Sequence, residues 1–230
     1  MKTIGLIGGM SWESTRIYYE LINSNVQRQL GGIHSARMLI TSLDMADIAD
    51  MQKNGQWREA GELLANQAVQ LQQAGAAVIA LATNTMHKCA PQILAAISVP
   101  FAHIVDALVA QLKLDKRHRP LLLATRFTME DEFYRGRLAT HGFAVMLPSP
   151  PHRDALHEII FTELCKGIVT EKSRRAVIDM IVAAKQSGAD SVILGCTEVC
   201  MLVNENNSSL CVYDTTQIHA TALVDFALSS

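Results

Sequence analysis

The chain of 230 residues carries almost no excess charge: 20 Lys and Arg stand against 22 Asp and Glu, a formal net charge of -2. With a pI near 6.4, it lacks the basic footprint that nucleic-acid binding requires. Long hydrophobic runs are also missing; none approaches the ~20 residues needed to span a bilayer, so no membrane partner is expected. The first residues hold a single lysine and then a glycine-punctuated, strand-like run, which is not the pattern of a signal peptide. A paired set of cysteines is absent too. The five (89, 165, 196, 200 and 211) are odd in number and irregularly spaced, so they read as free thiols in a reducing, cytoplasmic compartment rather than as a disulfide framework. There is no low-complexity tract. What remains, 49% hydrophobic and 18% charged residues, is the composition of an ordinary globular chain.

The apolar residues fall into a regular alternation. Short runs ("TIGLI", "RMLITSL", "AVIALA", "PFAHIV", "PLLLAT", "FAVMLP", "SVILG" and "LCVYD") are separated by stretches with helical spacing. In "AGELLANQAVQLQQAG", Leu63, Leu64, Val69 and Leu71 keep helical intervals and Gly75 marks the end. Continuously apolar strands alternating with helices predict parallel sheets covered on both faces. The polar run "KLDKRHRP" (113–120) is the candidate crossover between two halves, and "NENNSSL" (204–210) reads as a surface loop.

An internal repeat supports two halves. "GAAVIALAT" (75–83) aligns without a gap onto "GADSVILGC" (188–196), each after a helical stretch ending in "QQAG" or "KQSG" and each followed by a strand ending in Asp. The sequence thus predicts an α/β fold of two pseudo-symmetric, flavodoxin-like domains, one from 1–113 plus 211–230 and the other from 114–210.

The repeat places Thr83 and Cys196 at corresponding strand ends, where open parallel sheets bind ligands. Domains facing each other about a pseudo-twofold axis would set the two residues on opposite sides of one cleft. A cysteine at a helix N-terminus is expected to have a lowered pKa. The free N–H groups there, with the hydroxyls of Thr85 and Thr197, could hold a carboxylate. Opposed proton carriers around a carboxylate suit abstraction of an α-proton on one face and its return on the other, which is racemisation. A metal site at Cys196, Cys200, His87 and Cys89 is not expected, because Cys-x-x-x-Cys is not a zinc-knuckle spacing. "GLIGGMS" lacks the dinucleotide fingerprint, and no lysine sits in a recognisable pyridoxal phosphate setting.

"IGLIGGMSWEST", "NTMH" (84–87), "ELCKG" (163–167) and "GCTE" (195–198) together resemble the aspartate/glutamate racemase family, the cofactor-independent amino-acid racemases. The resemblance spans essentially the whole chain. It implies an active site between the domains, a pair of cysteines as acid and base, no cofactor, an amino-acid substrate and a homodimer. It also implies substrate contacts from Met10, Ser11, Asn84, Thr128 and Lys166. The chain departs from the family in one place: "CNT" reads "TNT", so Thr83 stands at the first cysteine's position. A threonine hydroxyl does not rest as an anion near pH 7 but can donate or relay a proton, whereas a thiol with a reference pKa of ~8.5 can do both.

Each of these residues has a plainer reading. Thr83 and Ser11 suit helix N-caps, Thr128 with Asp131 is spaced as a capping box, and Lys166 before Gly167 complements a helix C-terminus. Gln52 lies near where aspartate racemases carry a carboxylate-binding arginine, and "LDMADIADMQKNG" contains no arginine. Two other function classes stay open: a single-cysteine decarboxylase or isomerase of a small carboxylate, and a non-catalytic amino-acid-binding relative.

Overall fold

Four strands buried along their whole length (IGLIG, VIAL, PLLL and SVIL) organise the protein. In the computed structural model, which describes residues 1–229, the chain divides into two compact units. One is Met1–Ala107 with the segment from Thr216 onward, the other Leu108–Thr215. The first contains β1 (Ile4–Gly8), α1 (Trp12–Leu30), β2 (Met38–Ser42), α2 (Met45–Lys53), α3 (Trp57–Gln73) and β3 (Val78–Leu81). A 3-10 turn (Thr85–Cys89), α4 (Ala90–Ala96), β4 (Phe101–Ala102) and the start of α5 (Ile104–Leu114) follow. The second holds β5 (Pro120–Leu123), α6 (Arg126–Glu130), α7 (Glu132–Thr140), α8 (Pro150–Thr162), a 3-10 turn (Leu164–Lys166) and α9 (Glu171–Gln186). It ends with β6 (Ser191–Leu194), a 3-10 turn (Val199–Met201) and β7 (Cys211–Asp214), after which α10 (Thr215–Leu228) returns to the first unit.

Both sheets are parallel. The first runs β2-β1-β3-β4 and the second β5-β6-β7. Met146 adds a parallel bridge to Leu121 on the free side of β5. Counting that bridge as a vestigial strand gives both units one order, with β3 and β6 in the same place. The repeat therefore maps onto equivalent central strands. "FAVMLP" differs from the strand expected there: it is reduced to the single bridge.

Period-2 side-chain alternation assigns the two faces of the first sheet. Ile4, Leu6, Val78, Ala80 and Ala82 pack with Tyr18, Ile22 and Val26 of α1 and Ala220, Leu223 and Val224 of α10. Ile7, Ile79 and Leu81 face Ile48 of α2, Leu64 and Leu71 of α3 and Ile93 of α4. Lys2 N–H donates to the Ala227 carbonyl at 2.8 Å, tying β1's approach to the end of α10.

Two expected boundaries move. β7 (211–214) pairs with β6 in the second sheet, so the return to the first unit falls at Thr216 rather than at residue 211. The outward passage lies inside α5, at Ala107, not in the polar run before Pro120. That run is anchored within the second unit instead. Asp190 Oδ2 accepts from the N–H groups of His118 (2.6 Å) and Arg119 (2.9 Å), and Tyr213 OH donates to Asp115 at 2.7 Å. Its charged residues fix the approach to β5, which is why they resemble a linker in composition.

Candidate active site

In the first unit, three structural features converge on the carboxyl ends of β1 and β3. After β1 the chain turns at Gly9 (φ +83°), where an added Cβ would lie 2.1 Å from the Leu43 carbonyl oxygen. Gly9 N–H donates to Thr15 Oγ1 at 2.8 Å. Ser11 then N-caps α1, accepting from Ser14 N–H at 3.2 Å. Met10 is buried in the same core cluster as Met86, and buried Gln52 of α2 donates Nε2–H to Met86 Sδ at 3.0 Å. Met10, Gln52, Asn84 and Thr85 are all buried, while Thr83 stays half-buried at the strand end.

Thr83 is not a helix cap. The following 3-10 turn has Asn84 at its N-cap position, with no side-chain capping bond. The Thr83 carbonyl accepts from His87 Nδ1–H at 2.8 Å, so the loop is fixed through its main chain rather than through the threonine hydroxyl.

In the second unit, Cys196 follows β6 and is 8% exposed. Its Sγ–H donates to Glu198 Oε2 at 2.8 Å, and Thr197 Oγ1–H donates to the same oxygen at 2.7 Å. The expected lowering of the Cys196 pKa is reversed. Burial, then the Glu198 carboxylate, push it well above the usual thiol range, and the nearby Cys165 thiol adds to this. No α-helix starts here to favour a thiolate. The 3-10 turn is three residues long, and its N-cap is an acid, Glu198. Cys200 is likewise raised, by burial and by Asp214; its Sγ–H faces the Cys196 carbonyl at 3.8 Å.

Cys165 lies in the 3-10 turn Leu164–Lys166, next to Lys166. Lys166 is exposed, ahead of Gly167 in the left-handed region (φ 72°). Thr128 is fully buried and lies inside α6 rather than at its N-cap position, so it does not head the expected capping box with Asp131. Thr125 caps α6 by accepting from Thr128 N–H at 3.3 Å, while Asp131 caps α7 instead.

The 217-residue span from 7 to 223 matches the family model for Asp/Glu/hydantoin racemases. The chain belongs to that family. It is 24% identical over 232 residues to the broad specificity amino-acid racemase RacX of Bacillus subtilis (strain 168), covering 98% of both chains. Two crystal structures cover 100% of both chains. One, from Yersinia pestis and assigned to the Asp/Glu racemases, is 48% identical with a TM-score of 0.95. The other, an aspartate racemase homologue from Pyrococcus horikoshii OT3, is 30% identical with a TM-score of 0.86.

Membership of a racemase family makes the protein an isomerase. Sequence reasoning passed over Glu198, the partner of the Cys196 thiol. Its signal was present in "GCTE", two residues from the thiol, but only the folded turn shows its carboxylate accepting a hydrogen bond from the Cys196 thiol. Among the described residues, no helix is long and apolar enough to cross a membrane.

Proposed function

We propose that the protein is a cofactor-independent amino-acid racemase in which Cys196 and Thr83 exchange protons with opposite faces of the substrate α-carbon. The observation that carries this reading is the Cys196–Glu198 hydrogen bond of 2.8 Å. A buried thiol that rests protonated can act as an acid directly. As a base it must first lose its proton, and Glu198 is the acceptor in place. With Cys196 as base, its proton passes to Glu198 and the thiolate removes the α-proton. The Thr83 hydroxyl then gives a proton to the other face and is reprotonated from water, while Glu198 releases the proton it took from Cys196 to the hydroxide so formed, which closes the cycle. General acid–base groups of this kind contribute about 10²–10⁴-fold in rate.

Substrate recognition in this reading combines the Asn84, Thr85 and Thr197 segments for the α-carboxylate with Met10, Ser11, Gln52 and Thr128 around the side chain. Lys166 supplies a cation for acidic side chains. A glutamine in place of the carboxylate-binding arginine favours a range extending beyond aspartate and glutamate. The homodimer and cytoplasmic location implied by the family resemblance belong to the same reading.

The test is a panel of single-enantiomer amino acids without added cofactor, read by chiral chromatography and by α-deuterium wash-in. Cys196→Ala should abolish exchange, whereas Cys200→Ala should leave most of it. Thr83→Cys should gain most in the direction where residue 83 is the base; each 1.4 kcal/mol recovered is about tenfold in rate. A racemising Cys196→Ala variant would overturn the assignment. Decarboxylation of a small carboxylate, or binding without deuterium uptake, would favour the other two classes.

A further inference from the structure

Behind the Thr83 loop lies a polar cluster that the proposed chemistry does not use. His87, His103 and His219 are 1%, 6% and 0% exposed. The His87 ring centroid lies 4.7 Å from that of His103 and 5.9 Å from that of His219. The hydrogen bonds from these rings to the backbone have a definite sense. A carbonyl can only accept, so His87 Nδ1 carries the hydrogen that meets Thr83 O at 2.8 Å. An amide N–H can only donate, so His87 Nε2 is bare where Ile104 N–H reaches it at 3.2 Å. By the same logic His219 donates Nε2–H to Ala102 O (2.9 Å); burial keeps this ring neutral, so its bare Nδ1 accepts Tyr18 O–H at 2.8 Å. His103 Nδ1 accepts from Val105 N–H at 3.2 Å. With both nitrogens committed to backbone, His87 is not itself a proton carrier for a substrate.

We infer that His87 is a positioning residue for the proton carrier at Thr83. Its Nδ1–H tautomer locks the Thr83–Asn84 peptide plane against the start of α5, and so aims the Thr83 hydroxyl and the Asn84 N–H. The physical step is short. A trans peptide is planar, so holding the Thr83 carbonyl on His87 sets ψ of Thr83 and turns the Asn84 N–H to the opposite side. Only a neutral ring of this tautomer serves both ends, since an imidazolium would set Nε2–H against Ile104 N–H. The surroundings keep it neutral. Burial first, then His103 from the β4–α5 junction and His219 from α10, hold the His87 pKa well below its ordinary value. Tyr18 of α1 reaches the cluster through its bond to His219.

This role rests on the racemase reading, and the experiment separates the two. In the enantiomer whose α-proton Cys196 removes, deuterium wash-in without inversion reports the Cys196 half-reaction alone, whereas inversion also needs residue 83. His87→Asn can place an amide N–H where Nδ1–H was, whereas His87→Leu cannot. Both lose the acceptor for Ile104 N–H, so both lose similar stability. The ratio of inversion to wash-in should fall roughly 10–100-fold in His87→Leu, the scale of misplacing a reacting group by about an ångström. It should stay close to wild type in His87→Asn. Equal ratios in the two variants would overturn the positioning role while leaving the racemase standing. A wild-type protein inert toward every amino acid would overturn the racemase and this role with it. A measurement on the unaltered protein adds a separate test: ¹⁵N NMR should show His87 as the neutral Nδ1–H tautomer at pH 7, and the opposite tautomer or an imidazolium would refute the inference.

Discussion

Glu198 decides what the Cys196 thiol can do. Placing a carboxylate 2.8 Å from a buried sulfur favours the protonated thiol and gives its proton somewhere to go. Glu198→Gln removes the second largest cause of the upward shift, after burial. The thiol should therefore titrate lower in the variant, though still above an exposed cysteine. Alkylation with iodoacetamide as a function of pH measures this directly, and the midpoint should move down. Activity should nevertheless fall, by about 10²–10⁴-fold, because the acceptor for the proton is gone. An unchanged midpoint would mean that the 2.8 Å contact does not govern the thiol. The sequence placed Cys196 but assigned its charge state wrongly, for a physical reason. The apolar run into "GCTE" was correctly a buried strand, but the helix expected after it is a three-residue turn with an acid at its head.

At the level of elements, the buried strands and the helices flanking them were readable because each carries its period in its own residues. β3 and β6 announced themselves twice, through apolar continuity and through the repeat. What was not readable depended on partners distant in sequence. "FAVMLP" has strand composition, yet only Met146 bridges to β5. Thr128 and Asp131 have capping spacing, but Thr125 takes the cap of α6 and Asp131 that of α7. The turn after β1 is the sharpest constraint of this kind. Gly9 combines a left-handed φ with backbone 2.1 Å from where a Cβ would sit, so no rotamer change relieves a substitution. Gly9→Ala should cost about 2–4 kcal/mol, read as a lower urea midpoint. Gly142→Ala, also at positive φ but with nothing within 4 Å of its Cβ position, should cost less. Equal losses would show that backbone strain alone, and not the contact with Leu43, sets the penalty.

Over the whole molecule, the buried histidines make stability a function of mild acidity. Burial holds His219 down to about 4 and His87 well below its ordinary value. An unfolded histidine titrates near ~6.5, so between pH ~6.5 and 4 the unfolded chain binds more protons than the folded one. Stability is then complete above ~6.5 and is lost progressively as the pH falls toward 4. For His219 alone the loss is about 3 kcal/mol, and His87 adds to it in the same direction. Urea melts at pH 7, 5.5 and 4.5 should show the midpoint falling at each step. A flat profile down to 4.5 would mean that the cluster is not neutral in the native state. His219 has a further consequence, because it lies on α10, at the far end of the chain from the sheet face that α10 covers. On a ribosome, β1 to β4 emerge first, yet α1's Tyr18 has no His219, and Leu6 and Ala80 no Leu223 or Val224, until more than a hundred later residues have been translated. The second unit, with its sheet contained in residues 108–215, can therefore finish folding while the first is still waiting. The half whose strands are made first is the half that closes last.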